Sequence, residues 1–166
     1  VEIIEKRGGE AVASYEDVAD HEGAGRMVAQ AVDTWGRLDV LVTNAGIVRD
    51  SAIWNMREAD FDAVINVHLK GMWSPCHHAA RHWREVHKET GRPGGARVIT
   101  TTSGAGLVGN FGQTNYATAK AGVAGFTQTL SLELYKMGVT VNAVGPAAAT
   151  RITATMPNAP AVIEPI

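Results

Sequence analysis

Tyr116 and Lys120 stand four residues apart near the start of a helical pattern, and Ser103 closes the apolar run before it. At i and i+4 on a helix two side chains leave the same face, so the ammonium lies beside the phenol. A phenol with an ordinary pKa of ~10 is a poor base at neutral pH. An adjacent cation stabilises the phenolate and moves the group toward the range in which it exchanges protons. Ser103, at the carboxyl end of a predicted strand, brings its hydroxyl to the same place across the intervening loop.

Other clusters carry less chemistry. His77, His78, His82 and His87 fall on one predicted helix, and His78 and His82 have the i, i+4 spacing of a metal pair. With no acidic or further ligand nearby, they read as a solvated or subunit-interface face, and no metal site is assigned. Cys76 is the only cysteine; it excludes an internal disulfide framework and, with no base marked for it, reads as packing. The loop Gly91-Arg92-Pro93-Gly94-Gly95 lacks the Lys-Ser/Thr ending of a phosphate-binding loop and reads as a turn.

Around these residues the composition is that of one globular domain: 166 residues, 45% hydrophobic and 19% charged. The net charge is −2 and the basic residues are scattered, which leaves no footprint for nucleic acid or anionic lipid. No apolar run approaches the ~18 residues of a bilayer span, and the N-terminus does not read as a signal peptide.

The elements follow from periodicity and punctuation. Residues 2–7 read as the last turns of a helix stopped by Gly8-Gly9, and 11–18 as a strand. Asp20 is the N-cap of a helix that Gly36 ends, and 38–42 is a buried strand. Helices follow at 58–68 and 72–87, with Pro75 tolerated because it falls in a first turn. Residues 97–102 form a strand, 104–112 a glycine-rich loop, 116–137 a long helix ended by Gly138, and 139–144 the last strand. The tail beyond Pro146 reads as a loop. Strands alternating with helices predict an α/β fold with a parallel sheet covered on both faces. Ligands bind such sheets beyond the carboxyl ends of the strands, so the functional residues belong just after Val18, Val42, Thr102 and Val144.

Over nearly its whole length the chain resembles the short-chain dehydrogenase/reductase family. Ser103 followed by Tyr116 and Lys120 in Tyr-x-x-x-Lys resembles the family's catalytic set, and Asn66 in Val-Ile-Asn-Val-His-Leu-Lys-Gly matches its fourth catalytic residue. Asn44-Ala45-Gly46 resembles the Asn-Asn-Ala-Gly motif, with Thr43 in place of the first asparagine. Asp17-Val18 resembles the pair that contacts adenine, and the run ending at Gly145-Pro146 resembles the last nucleotide-facing strand. Thr150 stands where the family often has a threonine against the nicotinamide carboxamide. Ala147 replaces the glycine that usually follows Pro146, a strained choice if φ there is positive.

The resemblance implies a doubly wound, Rossmann-like sheet, NAD or NADP as cofactor, and hydride transfer between that cofactor and a secondary alcohol or ketone. In those roles Tyr116 exchanges the proton with the substrate oxygen and Ser103 hydrogen-bonds that oxygen. Lys120 lowers the Tyr116 pKa and holds the nicotinamide ribose, while Asn66 keeps a water that links Lys120 to solvent. A homodimer or homotetramer through helices 72–87 and 116–137 and a cytoplasmic location are expected. The runs 67–71, 109–113 and 149–153 resemble the (3R)-hydroxyacyl-CoA dehydrogenase module of multifunctional β-oxidation enzymes and its bacterial relatives, which implies a 3-hydroxyacyl or 3-oxoacyl thioester as substrate. Bacterial 3-oxoacyl-carrier-protein reductases and several steroid or alcohol dehydrogenases share much of the same pattern.

The family's layout opens with a strand, a glycine-rich turn that cradles the pyrophosphate, and a second strand whose end selects NAD or NADP. Neither pattern occurs in this sequence. With a strand order of 3-2-1-4-5-6, the sheet is expected to be incomplete, lacking its first two strands, so that 11–18 and 38–42 lose their partners. Residues 1–150 then read as the central part of a single nucleotide-binding catalytic domain and 151–166 as the start of a substrate-binding loop. These residues alone are not expected to make a stable, active enzyme. The competing reading is a non-catalytic nucleotide-binding or oligomerisation module.

Overall fold

Three apolar runs pair as parallel strands in the computed structural model, which describes residues 1–146. They are β1 (Val40–Thr43), β2 (Arg97–Thr101) and β3 (Thr140–Val144), in the order β1-β2-β3, with Leu41 beside Val98 and Val98 beside Val141. This is a parallel, Rossmann-like sheet without the early strands of the layout described above. Parallel neighbours require long crossovers. Those crossovers, with the segment before β1, supply α2 (His21–Trp35), α3 (Glu58–Ile65), α4 (Gly71–Thr90), a short α5 (Ala105–Val108) and α6 (Thr114–Leu134); α1 (Glu2–Lys6) precedes them.

Alternate strand residues face opposite sides of a sheet. On one side Val98, Thr100 and Val141 are buried, in a core that joins Val28 of α2, Met72, Cys76, Ala79 and Trp83 of α4, and Val123, Leu130 and Leu134 of α6. On the other side Val40, Val42 and Val144 are exposed. The expected cover on both faces is therefore present on one face among the described residues. Trp83 also ties layers together, because its indole N–H donates to the Leu38 carbonyl at 2.7 Å just ahead of β1. Trp83→Phe leaves that carbonyl unmet in the core and is expected to cost about 2 kcal/mol, read as a lower urea midpoint of the full-length protein.

Local signals set the helix ends. The Asp20 carboxylate accepts the Gly23 N–H at 3.0 Å, and Gly36 at φ +72° stops α2, as the sequence predicts. Other expectations are corrected. Residues 11–18 form no strand; a strand needs a neighbour's backbone, and this segment is held by side chains instead, with Gln30 Nε2 donating to the Ala13 carbonyl and Trp35 Nε1 to Glu10. The helices expected at 58–68 and 72–87 are one continuous run, α3 and α4 joined by a π-helical turn over Asn66–Lys70. Pro75 consequently lies inside a helix, close behind that turn, and is not in a first turn. The loop after β2 contains α5, and the helix bearing Tyr116 begins at Thr114. Ala147, Thr150 and the stretch 151–166 lie outside the described residues.

Candidate functional site

Beyond the carboxyl ends of β1 and β2, the first turns of α6 bring Tyr116 and Lys120 together, the Lys120 Nζ lying 5.6 Å from the Tyr116 ring centre. Lys120 is almost wholly buried. Its ammonium donates to the Thr101 carbonyl at 2.6 Å, and the Thr102 hydroxyl donates to the Lys120 carbonyl at 2.8 Å, which pins α6 to the end of β2. Burial pushes the Lys120 amine down to about 8. Tyr116 is half-buried, and among the described residues its hydroxyl has no protein partner, so it is free to meet a ligand oxygen.

Ser103 leaves β2 for α5, and its hydroxyl accepts the Ala105 N–H at 3.3 Å. Gly106 brings this segment hard against α6: a Cβ there would lie 2.6 Å from the Ala121 nitrogen and the Lys120 carbonyl carbon. Both are backbone atoms and cannot swing aside. Gly106→Ala is accordingly expected to cost about 1–3 kcal/mol by overpacking and to shift the turn that carries Ser103 relative to α6, a loss visible as lower thermal stability together with lower turnover.

The rest of the frame comes from buried amides that sequence reasoning missed. Asn115 is fully buried; its amide donates to the Arg49 carbonyl at 2.9 Å and its oxygen accepts the Tyr116 N–H at 2.8 Å. Gln113, also buried, donates to Asp50 at 2.8 Å and accepts from Asn110 at 2.9 Å. Together they fasten the segment after β1 to the first turn of α6. Their only signal in the sequence is polarity next to the Tyr116 motif.

His68 was missed as well. It is buried in the π turn, meets the Tyr116 ring edge-on at 5.2 Å, and bonds the Ile47 backbone through Nε2. Asn66, two residues earlier, is exposed and borders an outer groove with Asp62, Ile65 and Lys70. The structure thus brings Tyr116 and Lys120 together and sets Ser103 just past the end of β2, with Asn66 exposed.

A cavity of about 230 Å³ opens at the end of β1, with Val18, Thr43, Asn44, Ala45, His68 and Lys120 in its wall. Gly46 follows, and a Cβ there would lie 2.5 Å from His68 Cε1, so the glycine of that motif admits the imidazole. Val18 packs closely on Gly71. Asp17 is exposed, with its carboxylate accepting the Ala19 N–H at 2.9 Å in the turn that leads into α2. Pro146 is exposed just past β3. Two buried polar atoms of the cavity wall, Thr43 Oγ1 and His68 Nδ1, have no partner among the described residues. Buried polar atoms are rarely left unmatched, and beside an ammonium they suit the hydroxyl-rich sugar end of a nucleotide. No glycine-rich turn of the kind that cradles a pyrophosphate occurs among the described residues.

The remaining candidates are structural. The His78 Nε2–H donates to the His21 carbonyl at 3.0 Å and the ring packs over Gly25, so it braces α4 on α2. Among the described residues no group of three His, Cys, Asp or Glu side chains is placed to hold a metal ion. Burial pushes the Cys76 thiol up to about 12, where it is no nucleophile. No described helix is long and apolar enough to cross a membrane.

Residues 1–160 match the short chain dehydrogenase family. The chain is 40% identical, over 99% of its length, to the peroxisomal hydratase-dehydrogenase-epimerase of Neurospora crassa, of which it covers 18%. It is 42% identical, over 89% of its length, to the hydroxyacyl-CoA dehydrogenase ChsB1 of Mycobacterium tuberculosis, of which it covers 46%. The crystal structure of a short chain dehydrogenase from Mycobacterium avium matches with a TM-score of 0.86 and 51% identity, over 89% of this chain and 52% of that one. The chain therefore spans about half, or less, of the length of these relatives. The expected cytoplasmic location is corrected by the peroxisomal proteins among them.

Proposed function

The chain belongs to the short-chain dehydrogenase family, and from that premise we propose that the full-length protein is an NAD(P)-dependent oxidoreductase acting on a 3-hydroxyacyl or 3-oxoacyl thioester. The observation that carries this reading is a buried lysine held beside a half-buried tyrosine at the carboxyl ends of the strands. NAD(P) supplies or accepts the hydride. In the ketone direction Tyr116 gives its proton to the carbonyl oxygen as charge develops there, and Ser103 donates a hydrogen bond to the same oxygen. The Lys120 ammonium, fixed by Thr101, puts positive charge where negative charge grows on Tyr116. Lys120, Thr43, Asn44 and Ala45 would hold the nicotinamide ribose, and Val18 the adenine side. Asn66 stays in this set on the strength of the family resemblance, as the residue that keeps a water linking Lys120 to solvent.

The thioester is supported by the hydroxyacyl-CoA dehydrogenase and dehydrogenase-epimerase relatives. Exposed apolar side chains on the segments that follow β1 and β2 also support it: Ile53, Trp54, Leu107, Val108 and Phe111 are exposed, with Trp54 and Phe111 edge-on at 6.3 Å. Such a surface suits an acyl chain better than a small polar ketone. The reading keeps a homodimer or homotetramer through residues 72–87 and 116–137. The test follows NAD(P)H oxidation by the full-length protein with 3-oxoacyl thioesters, ketosteroids and simple ketones. A kcat/KM at least about tenfold higher for the thioesters is expected; no oxidation with any of them would overturn the proposal.

A further inference from the structure

Away from the Tyr116 site, a cluster of ionisable rings sits at the joint between α2 and α4. His21 opens α2 and stacks on Trp73 of α4, with ring centres 4.9 Å apart and planes within 18°. His77, one turn on from Trp73, lies 5.3 Å from the rings of Trp73, His21 and His78. His78 lies 4.5 Å from His21, and a Cβ on Gly25 of α2 would come within 2.9 Å of its Cε1. Hydrogen bonds fix two of the three imidazoles: His78 Nε2–H donates to the His21 carbonyl at 3.0 Å, and His21 Nδ1 lies 3.3 Å from the buried Ser74 hydroxyl. His77 is held by ring contacts. The same joint walls the cavity at the end of β1, with Met27, Val28 and Ala31 from α2 and Gly71, Met72 and Pro75 from α4. A change in how the two helices sit therefore changes that space.

We propose that Trp73, His21, His77 and His78 form an acid-sensitive clasp between α2 and α4 with His77 as its pin: neutral, it completes the ring cluster; protonated, it loosens the joint and with it the cavity. The titratable and charged groups that face His77 are His21 from α2, His78 beside it and Arg81 one turn on, all of them cationic when charged. Carboxylates close in sequence serve elsewhere. Asp20 takes up the Gly23 N–H and the Arg26 guanidinium, and Glu22 is exposed. Burial first, and then the neighbouring cations, hold the His77 imidazole below its usual 6.5. An open joint relieves both effects and so binds the proton more readily than the closed one. The clasp is accordingly firm above pH 6.5 and weakens as pH falls below it.

The effect on the cavity rests on the proposed NAD(P) reading, and the test separates the two. It compares the full-length wild-type protein with His21→Phe/His77→Phe, which keeps both rings beside Trp73 and removes their charge, and with His87→Gln, which removes a histidine of α4 outside the cluster. Hydrogen exchange, corrected for the intrinsic rate, reads the joint, and titration with NAD(P)H followed by its fluorescence reads the cavity. From pH 7.5 to 5.5 the opening constant of the α2 and α4 amides is expected to rise at least about threefold more in wild type and His87→Gln than in the double variant, within the roughly tenfold per pH unit that one proton allows. The NAD(P)H dissociation constant is expected to follow the same pattern. Equal pH responses of wild type and double variant in either readout overturn the inference, as does a His77 ring that titrates at or above 6.5 by NMR. Should the double variant fail to fold, the wild-type NMR titration and exchange in His77→Phe alone decide. NAD(P)H that binds at no pH overturns the proposed function instead, and the exchange result then decides the clasp.

Discussion

Tyr116→Phe is expected to lower kcat of the full-length protein by about a thousandfold, within the range of general acid–base catalysis, and to leave its stability unchanged. The two halves of that expectation have separate grounds. The substitution removes one oxygen, which has no protein partner among the described residues, so no internal hydrogen bond is lost. The ring stays against His68, so packing is kept as well. Only the proton exchanged with the substrate oxygen disappears, and an effect on kcat with little change in KM is the signature of a group acting in the transition state. Steady-state kinetics paired with a thermal melt check both halves. A melt lowered by several degrees would mean that the hydroxyl has a structural duty, and retained kcat would remove Tyr116 from the chemistry.

Lys120→Met is expected to make the protein more stable and nearly inactive. Burial lowers the Lys120 amine from 10.5 to about 8, so between those values the unfolded chain binds the proton and the folded chain does not. Stability must therefore rise with pH across that window. Below pH about 8 the fold carries the full cost of a buried ammonium, ~2.5 pKa units or about 3 kcal/mol. The bond to the Thr101 carbonyl that methionine forfeits is worth about 2 kcal/mol. Methionine has similar length and fills an apolar slot readily, so the variant should be about 1 kcal/mol more stable at pH 7. That advantage should vanish as pH climbs from 8 toward 10.5. Turnover should fall at least about a hundredfold, since no other ammonium stands beside Tyr116 among the described residues. Urea unfolding at pH 7 and pH 10 reads the first effect; a variant less stable than wild type at pH 7 would contradict it.

The Tyr116–Lys120 pair and the limits of α2 are legible in the sequence because both are local. An i, i+4 spacing fixes a shared face, and Asp20 and Gly36 act within one turn of their own residue. His68 shows where that legibility ends. A regular helix over 58–68 gives no reason to single it out, whereas the structure buries it in the π turn, where Leu69 lies close on Gly122 of α6. Residues 11–18 have a strand's composition, yet pairing depends on a neighbour's backbone and not on composition. Asn115 and Gln113 act through carbonyl and carboxylate partners at Arg49 and Asp50, more than sixty residues away. No spacing rule reaches across that separation. The family layout read from the motifs nonetheless places the three parallel strands and their order correctly.

The central claim is that the full-length protein moves a hydride to a carbonyl carbon while Tyr116 delivers the proton to its oxygen. The most direct measurement uses NAD(P)H deuterated at the transferring position of the nicotinamide, with a 3-oxoacyl thioester as acceptor. The expected product is the 3-hydroxyacyl thioester with deuterium on its carbinol carbon, formed at the rate of cofactor oxidation and nearly lost in Tyr116→Phe. A product without deuterium at that carbon, or cofactor that stays reduced in the presence of every thioester offered, would contradict the account.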